Sequence, residues 1–172
     1  MAQVSRGALY HHFTNKLQLF AAVFETVSAE LMARIGATIA KTGESDPIEC
    51  LRLGAGFWLD ACSEPEVHQI SLVDAPAVLG VTNWRAISSR YGNGLVEALL
   101  VRAIDSGQIP AQPLSPLAHV LLGALREGAL YLVDADDTAR GRREVGSAID
   151  GLIRSLDMRA LQATRRGRHP RS

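Results

Sequence analysis

Apolar residues recur every three or four positions along almost the whole chain, with polar residues between them. Leu17, Phe20, Phe24, Val27, Leu31, Ile35 and Ile39 draw one such stripe, the pattern of a long helix with a single buried face. Asn15, with Gln18 three positions on, has the spacing of a capping box at its start, and Gly43 and Ser45 close it. Asp46-Pro47-Ile48-Glu49 then offers a cap, a proline at the first helical position and an acid in the first turn, so a second helix is predicted to about Cys62. Glu64-Pro65-Glu66 opens a third, carrying Val67, Ile70, Val73 and Val78 toward Gly80. From Thr82 a fourth carries Trp84, Ile87, Tyr91, Leu95, Leu99 and Ile104 to Ser106-Gly107, with Gly92 and Gly94 as candidate kinks. Residues 108–116 hold three prolines and read as a loop. Ser115-Pro116 starts a strongly apolar helix to about Val133. The acids Asp134, Asp136 and Asp137 suit the N-terminus of the next helix, which carries Val145, Ile149, Leu152, Ile153 and Leu156. Period-two alternation is absent from the sequence, so the predicted fold class is all-α.

Composition sharpens this reading in two ways. Of 172 residues, 47% are apolar but only 5% aromatic, so small and branched aliphatic side chains must build the core, as in helices packed on helices. The formal net charge is zero, yet five arginines and no acid fall between Arg159 and Ser172, leaving 13 basic against 18 acidic residues elsewhere. An acidic body with a basic end does not by itself mark a nucleic-acid binder. Residues 159–172 are expected to be a solvated, disordered tail. Cys50 and Cys62 are too few and too far apart for a disulfide framework or a metal site, and are expected to be reduced core residues. No charged-then-apolar leader opens the sequence, and the apolar run around Leu117–Leu125, stopped by Arg126-Glu127, is too short to span a bilayer. The expectation is a soluble cytoplasmic protein with no membrane association.

The first twenty residues carry the functional information. Val4 to Lys16 read as a short helix, a turn and the start of the long helix, with Ser5 as cap. Val4, Leu9 and Phe13 would face inward, and Arg6, Tyr10 and His11 outward. An exposed short helix offering a guanidinium, a phenol and an imidazole, with Lys16 at the next helix start, suits a groove-and-phosphate site. The segment VSRGALYHHFTNKLQLF resembles the second half of the helix-turn-helix of TetR-family bacterial repressors, nearly continuously from Val4 to Phe20. That resemblance implies that Ser5, Arg6, Ala8 and His11 lie toward base edges or nearby phosphates, and that Tyr10 and Lys16 contact the backbone. LVDAPAVLGVTNWRAI and LLGALREGALYLVDADD look like segments of the same family's ligand-binding body. The family places two further helices before this motif, whereas the sequence opens on Met1-Ala2-Gln3. The expectation is therefore a late start or a truncated product, with residues 1–20 a remnant of the DNA-binding domain and operator binding impaired.

Residues 21–158 are then expected to form the ligand-binding and dimerisation domain. The resemblance implies an apolar effector cavity, for which the wall candidates are Phe57, Trp58, Ile70, Asp74, Trp84, Ile87, Tyr91, Leu122, Arg126 and Tyr131. Arg126 lies in so apolar a helix that it needs a counter-charge, with Asp74 or an acidic ligand as candidates. Gly123, Ala124, Gly128 and Ala129 permit close helix approach. The family's four-helix seam would bury Leu121, Leu125, Leu132, Val145, Ile149, Leu152 and Ile153 against a second copy. His68 and His119 are isolated, and the Asp134–Asp137 run lacks the glycine and distal glutamate of a calcium loop, so no metal or cofactor is expected. The sequence also contains no nucleophile elbow, zinc-protease motif or phosphate loop, so an enzyme is not expected. The predicted function is a homodimeric, ligand-responsive repressor that binds operator DNA and an unknown small-molecule effector. The alternative is a helical dimer that binds a small molecule or protein without DNA.

Overall fold

Asn15 sets the entry into the first long helix. Its backbone is extended, and its side-chain carbonyl accepts from the Gln18 N–H at 2.9 Å. Helix α1 (Lys16–Thr42) follows for 27 residues and stops where Gly43 takes a left-handed conformation and returns its N–H to the Ala40 carbonyl. The fold is known from a computed structural model, which describes Phe13, residues 15–133 and residues 135–159. Asp46 caps α2 (Pro47–Cys62), its Oδ1 accepting from Ile48 N and Glu49 N. A single turn, α3 (Pro65–His68), runs into a π-helical segment (Gln69–Asp74) and then into α4 (Ala75–Asp105). The predicted break at Gly80 is present: its φ of 75° and ψ of 153° interrupt α4, a conformation nearly confined to glycine. Gly92 and Gly94, the candidate kinks, keep helical geometry.

Helix α5 (Leu114–Val133) begins a residue before the predicted cap, so Ser115 lies inside it and its carbonyl faces His119 Nδ1 at 2.9 Å. Asp137 caps α6 (Thr138–Ser155) by accepting from Arg140 N. No strand occurs among the described residues, and the fold class is all-α as predicted.

The apolar stripes meet in two clusters. The larger joins Leu31, Ile35 and Ile39 of α1, Leu51, Ala55 and Leu59 of α2, Leu99, Leu100 and Ala103 of α4, and the inward residues of α5 and α6. The smaller gathers Phe24, Cys62, Leu72, Ala75, Leu79, Trp84, Ile87 and Ala129. Trp58 packs against both. Polar bonds fix how the helices lie on this core. Arg52 of α2 bonds Asp150 of α6, and Arg142 of α6 reaches back to Asp60 at 2.7 Å and the Gly56 carbonyl at 2.9 Å. Glu25 and Arg90 join α1 to α4 at 2.9 Å.

Two sequence expectations change here. Arg159, assigned to a free tail, pairs with Asp157 at 2.8 Å and Asp46 at 2.9 Å, because the loop before α2 brings a buried-side carboxylate to the end of α6. The rest of the expected tail lies outside the described residues. The expectation that the apolar segment of α5 is too short to span a bilayer also changes, since Arg126-Glu127 interrupts the apolar run but not the helix, which reaches Val133 as predicted. Both are good helix formers, and the helix continues to 20 residues, long and apolar enough to cross a membrane by length and composition. Here it packs against α4 and α6.

Candidate functional site

A cavity of about 120 Å³ lies between the two core clusters. Phe24, Ser28, Leu31, Met32 and Ile35 of α1 form one wall, and Leu51, Gly54, Ala55, Trp58 and Cys62 of α2 form the next. The π-helical segment adds Ser71 and Leu72. Helix α4 gives Trp84, Ser88, Ser89, Tyr91, Gly92, Leu95, Val96 and Leu99, while Leu121, Leu122, Leu125 and Arg126 come from α5 and Ile149, Leu152 and Ile153 from α6. An apolar chamber of this kind with a few polar groups is suited to an organic ligand.

Its shape follows from local structure. Trp84 Nε1 donates to the Ser71 carbonyl at 2.9 Å, which ties the π-helical segment to α4 and holds the indole at the chamber wall. Gly92 faces Leu122, where a Cβ would come within 3.0 Å of Cδ2, so α4 and α5 stand close at the chamber edge. Cys62 is buried, and burial first, with Glu64 adding, pushes its thiol up to about 12; it is a neutral wall residue, not a nucleophile. Arg126 is the single charged residue in the lining among the described residues. Its guanidinium carbon lies 5.8 Å from the Trp84 ring centroid, within cation–π range. Its Nε is buried and finds no hydrogen-bond partner among the described residues. Burial and the neighbouring Arg85 both push its pKa below the ordinary arginine value.

Of the predicted pocket residues, Trp58, Trp84, Tyr91, Leu122 and Arg126 are brought together in the lining. The other five are not. Ile87 is buried in the smaller cluster, with Ile70 packed against it, and Phe57 packs on the larger one. Asp74 accepts from Gln69 Nε2 at 2.8 Å and so does not answer Arg126. Tyr131 points outward and is 56% exposed. The whole α1 wall was missed. A signal for it exists: Ser28 interrupts the apolar stripe between Phe24 and Leu31, as Ser88 and Gly92 interrupt the one after Trp84, and small or polar residues on a core-facing stripe leave space.

Burial bears on five of the seven residues predicted for the dimer seam. Leu121, Leu132, Val145, Ile149 and Ile153 are buried inside this one chain, and Leu121, Leu125, Ile149, Leu152 and Ile153 line the chamber. The five buried ones face their own core because burying the most apolar stripe of each helix removes the most apolar surface from water, whereas Leu152 lines the chamber and stays 38% exposed. The outward side of α5 and α6 instead shows Val120, Glu127, Tyr131, Ala148, Gly151 and Leu152. Among the DNA-contact candidates, Lys16 is exposed at the first position of α1. Ser5, Arg6, Ala8, Tyr10 and His11 lie outside the described residues. Among the described residues, no three His, Cys, Asp or Glu side chains gather as a metal site.

The class these features define is an all-helical protein with an internal cavity, one wall of which is a long helix that carries exposed Lys16 at its N-terminal end. Residues 48–156 match the family described as tetracyclin repressor-like, C-terminal domain, and residues 1–23 match bacterial regulatory proteins, tetR family. The chain belongs to the TetR family of transcriptional regulators. It is 26% identical over 155 residues to the Transposon Tn10 TetC protein of Escherichia coli, covering 90% of this chain and 77% of that protein. It also resembles a crystal structure of a TetR-family transcriptional regulator from Pectobacterium atrosepticum, with 33% identity and a TM-score of 0.76. That match covers 90% of this chain and 78% of the other.

Proposed function

We propose that the chain is a ligand-responsive repressor that acts as a twofold dimer in the cytoplasm, with an effector in the chamber controlling operator binding. The observation that carries this reading is the continuity of α1. Phe24, Ser28, Leu31 and Met32 stand in the chamber wall, and the same unbroken helix carries Lys16 at its N-terminal end. Eight residues of helix, about 12 Å, separate Lys16 from Phe24. Ser5, Arg6, Ala8 and His11 would meet base edges and nearby phosphates, with Tyr10 and Lys16 on the backbone. A ligand that fits the chamber better with α1 displaced shifts the population toward that arrangement and moves two recognition segments out of register with DNA.

The test uses a Lys16→Cys chain carrying spin labels, a clean design because Cys50 and Cys62 are both buried. The distance between the two labels of a dimer is measured alone and with saturating toluene, indole or benzoate. A shifted distance distribution with at least one probe is expected; an unchanged one with all three overturns the ligand-responsive reading. Fluorescence anisotropy on the DNA upstream of the gene, with this chain and a form extended upstream in frame, tests operator binding. Failure of both to bind would overturn the repressor assignment.

A further inference from the structure

Resting on the reading of the chamber as an effector site, we propose that the effector is a small aromatic carboxylate, its ring held among Trp58, Trp84 and Tyr91 and its charge taken by Arg126. The case begins with an unanswered cation. Arg126 makes no ion pair among the described residues, and its buried Nε has no acceptor there. The two acids that could answer it are bonded to other residues: Asp74 to Gln69, and Glu127 to Arg85 at 3.9 Å. Arg85 adds a second positive charge whose field outweighs that of Glu127 at Arg126, and neither acid is bonded to the guanidinium. A buried cationic donor without an acceptor is costly, and a ligand that supplies the acceptor removes that cost on binding.

Geometry narrows the anion. A guanidinium offers a planar fork that matches a carboxylate in two parallel hydrogen bonds. One cation in a wall otherwise built from leucines, aromatics and a few serines suits a single negative charge better than a doubly charged phosphate, whose second charge no described lining residue would answer. The volume narrows the body. About 120 Å³ is close to the roughly 150 Å³ of an apolar cavity known to admit benzene, so the chamber takes one ring before its walls must move. The Trp84 indole beneath the guanidinium, 5.8 Å away, places an aromatic face beside the charge.

Titrations with benzoate, its neutral isostere benzamide, and toluene test this directly. The chain has two tryptophans, and both line the chamber, so intrinsic fluorescence reports occupancy, with calorimetry alongside. The wild-type chain is expected to bind benzoate at least about 10-fold more tightly than benzamide. In Arg126→Met that preference should fall within about 3-fold while toluene binding persists, which shows the chamber intact. If Arg126→Met does not fold, Arg126→Lys serves, and a benzoate preference well below that of the wild type is expected because the fork is lost. Equal binding of benzoate and benzamide, or an undiminished preference in the variant that folds, overturns the proposal. Toluene binding without a benzoate preference sinks the anion inference alone. Absence of binding by all three sinks the effector-site reading with it.

Discussion

Asp46 joins three parts of the chain through one carboxylate. Its Oδ1 caps α2, and its Oδ2 accepts from Gln108 at 2.8 Å and Arg159 at 2.9 Å. Burial pushes its pKa up, but the bonds from Arg159, Glu49 N, Gln108 and Ile48 N outweigh it and hold the carboxyl below its ordinary value. Asp157 is held down too, chiefly by its hydrogen bond to Arg159. A carboxylate whose folded pKa is depressed contributes stability above its unfolded value, near 3.8 here, and loses it as pH falls through the folded value. Asp157→Asn should therefore lower the unfolding free energy by about 1 kcal/mol at pH 7, a modest figure because Arg159 is well exposed. Urea titrations from pH 7 down to about pH 2 should show the gap closing below pH 3.8, and a gap that stays constant refutes the assignment. The cap was legible in the sequence because capping is a rule over three residues. The bond to Arg159 spans 113 residues, and no local pattern announces it. The same contrast explains the chamber: the stripes named Trp58, Trp84 and Arg126, but a stripe does not say which neighbour it meets, so Ile87 and Tyr131 went to the wrong place.

The helices themselves were readable nearly end to end, since Asn15, Gly43, Asp46, Gly80 and Asp137 all mark boundaries that the structure keeps. The π-helical segment was not. It is defined by which backbone groups pair, not by a residue pattern, and the Trp84–Ser71 bond that accompanies it is tertiary. Gly128 shows which contact a small residue on an apolar helix serves. It was expected to allow close helix approach, and the approach is to the chain's own α6, where a Cβ would lie 2.7 Å from Val145 Cγ1. Gly128→Ala should therefore destabilise: the clash costs about 1–3 kcal/mol, against up to about 1 kcal/mol gained in helix propensity. Gly94→Ala is the matched control, because nothing lies within 4 Å of a Cβ there, and it should raise the unfolding midpoint. A Gly128→Ala midpoint equal to or above that of Gly94→Ala would show that α5 and α6 are not locked at this point.

At the scale of the whole molecule, the chamber and the proposed dimer compete for the same two helices. Once the inward stripes of α5 and α6 are spent on the core and the chamber, the remaining side must serve any twofold contact. Val120, Gly123, Glu127 and Tyr131 follow one another at helical spacing on α5, as do Ala148, Gly151, Leu152 and Ser155 on α6. Val120 and Tyr131 are 63% and 56% exposed, more than a helix facing only water needs. The glycines and alanine keep the surface flat enough for two helix pairs to approach in a four-helix bundle. Such a bundle places Leu152 both at the chamber and beside the second copy, so that a ligand and a dimer contact share one side chain. Gly151 isolates the dimer from the fold, because a Cβ there meets nothing within 4 Å of this chain. Gly151→Arg should leave helicity and toluene binding unchanged but turn the dimer into a monomer at micromolar concentration, as light scattering after size exclusion would show. A wild-type chain that is itself monomeric, or a Gly151→Arg chain that stays dimeric, would place the twofold contact elsewhere and would remove the link between chamber and seam that Leu152 provides.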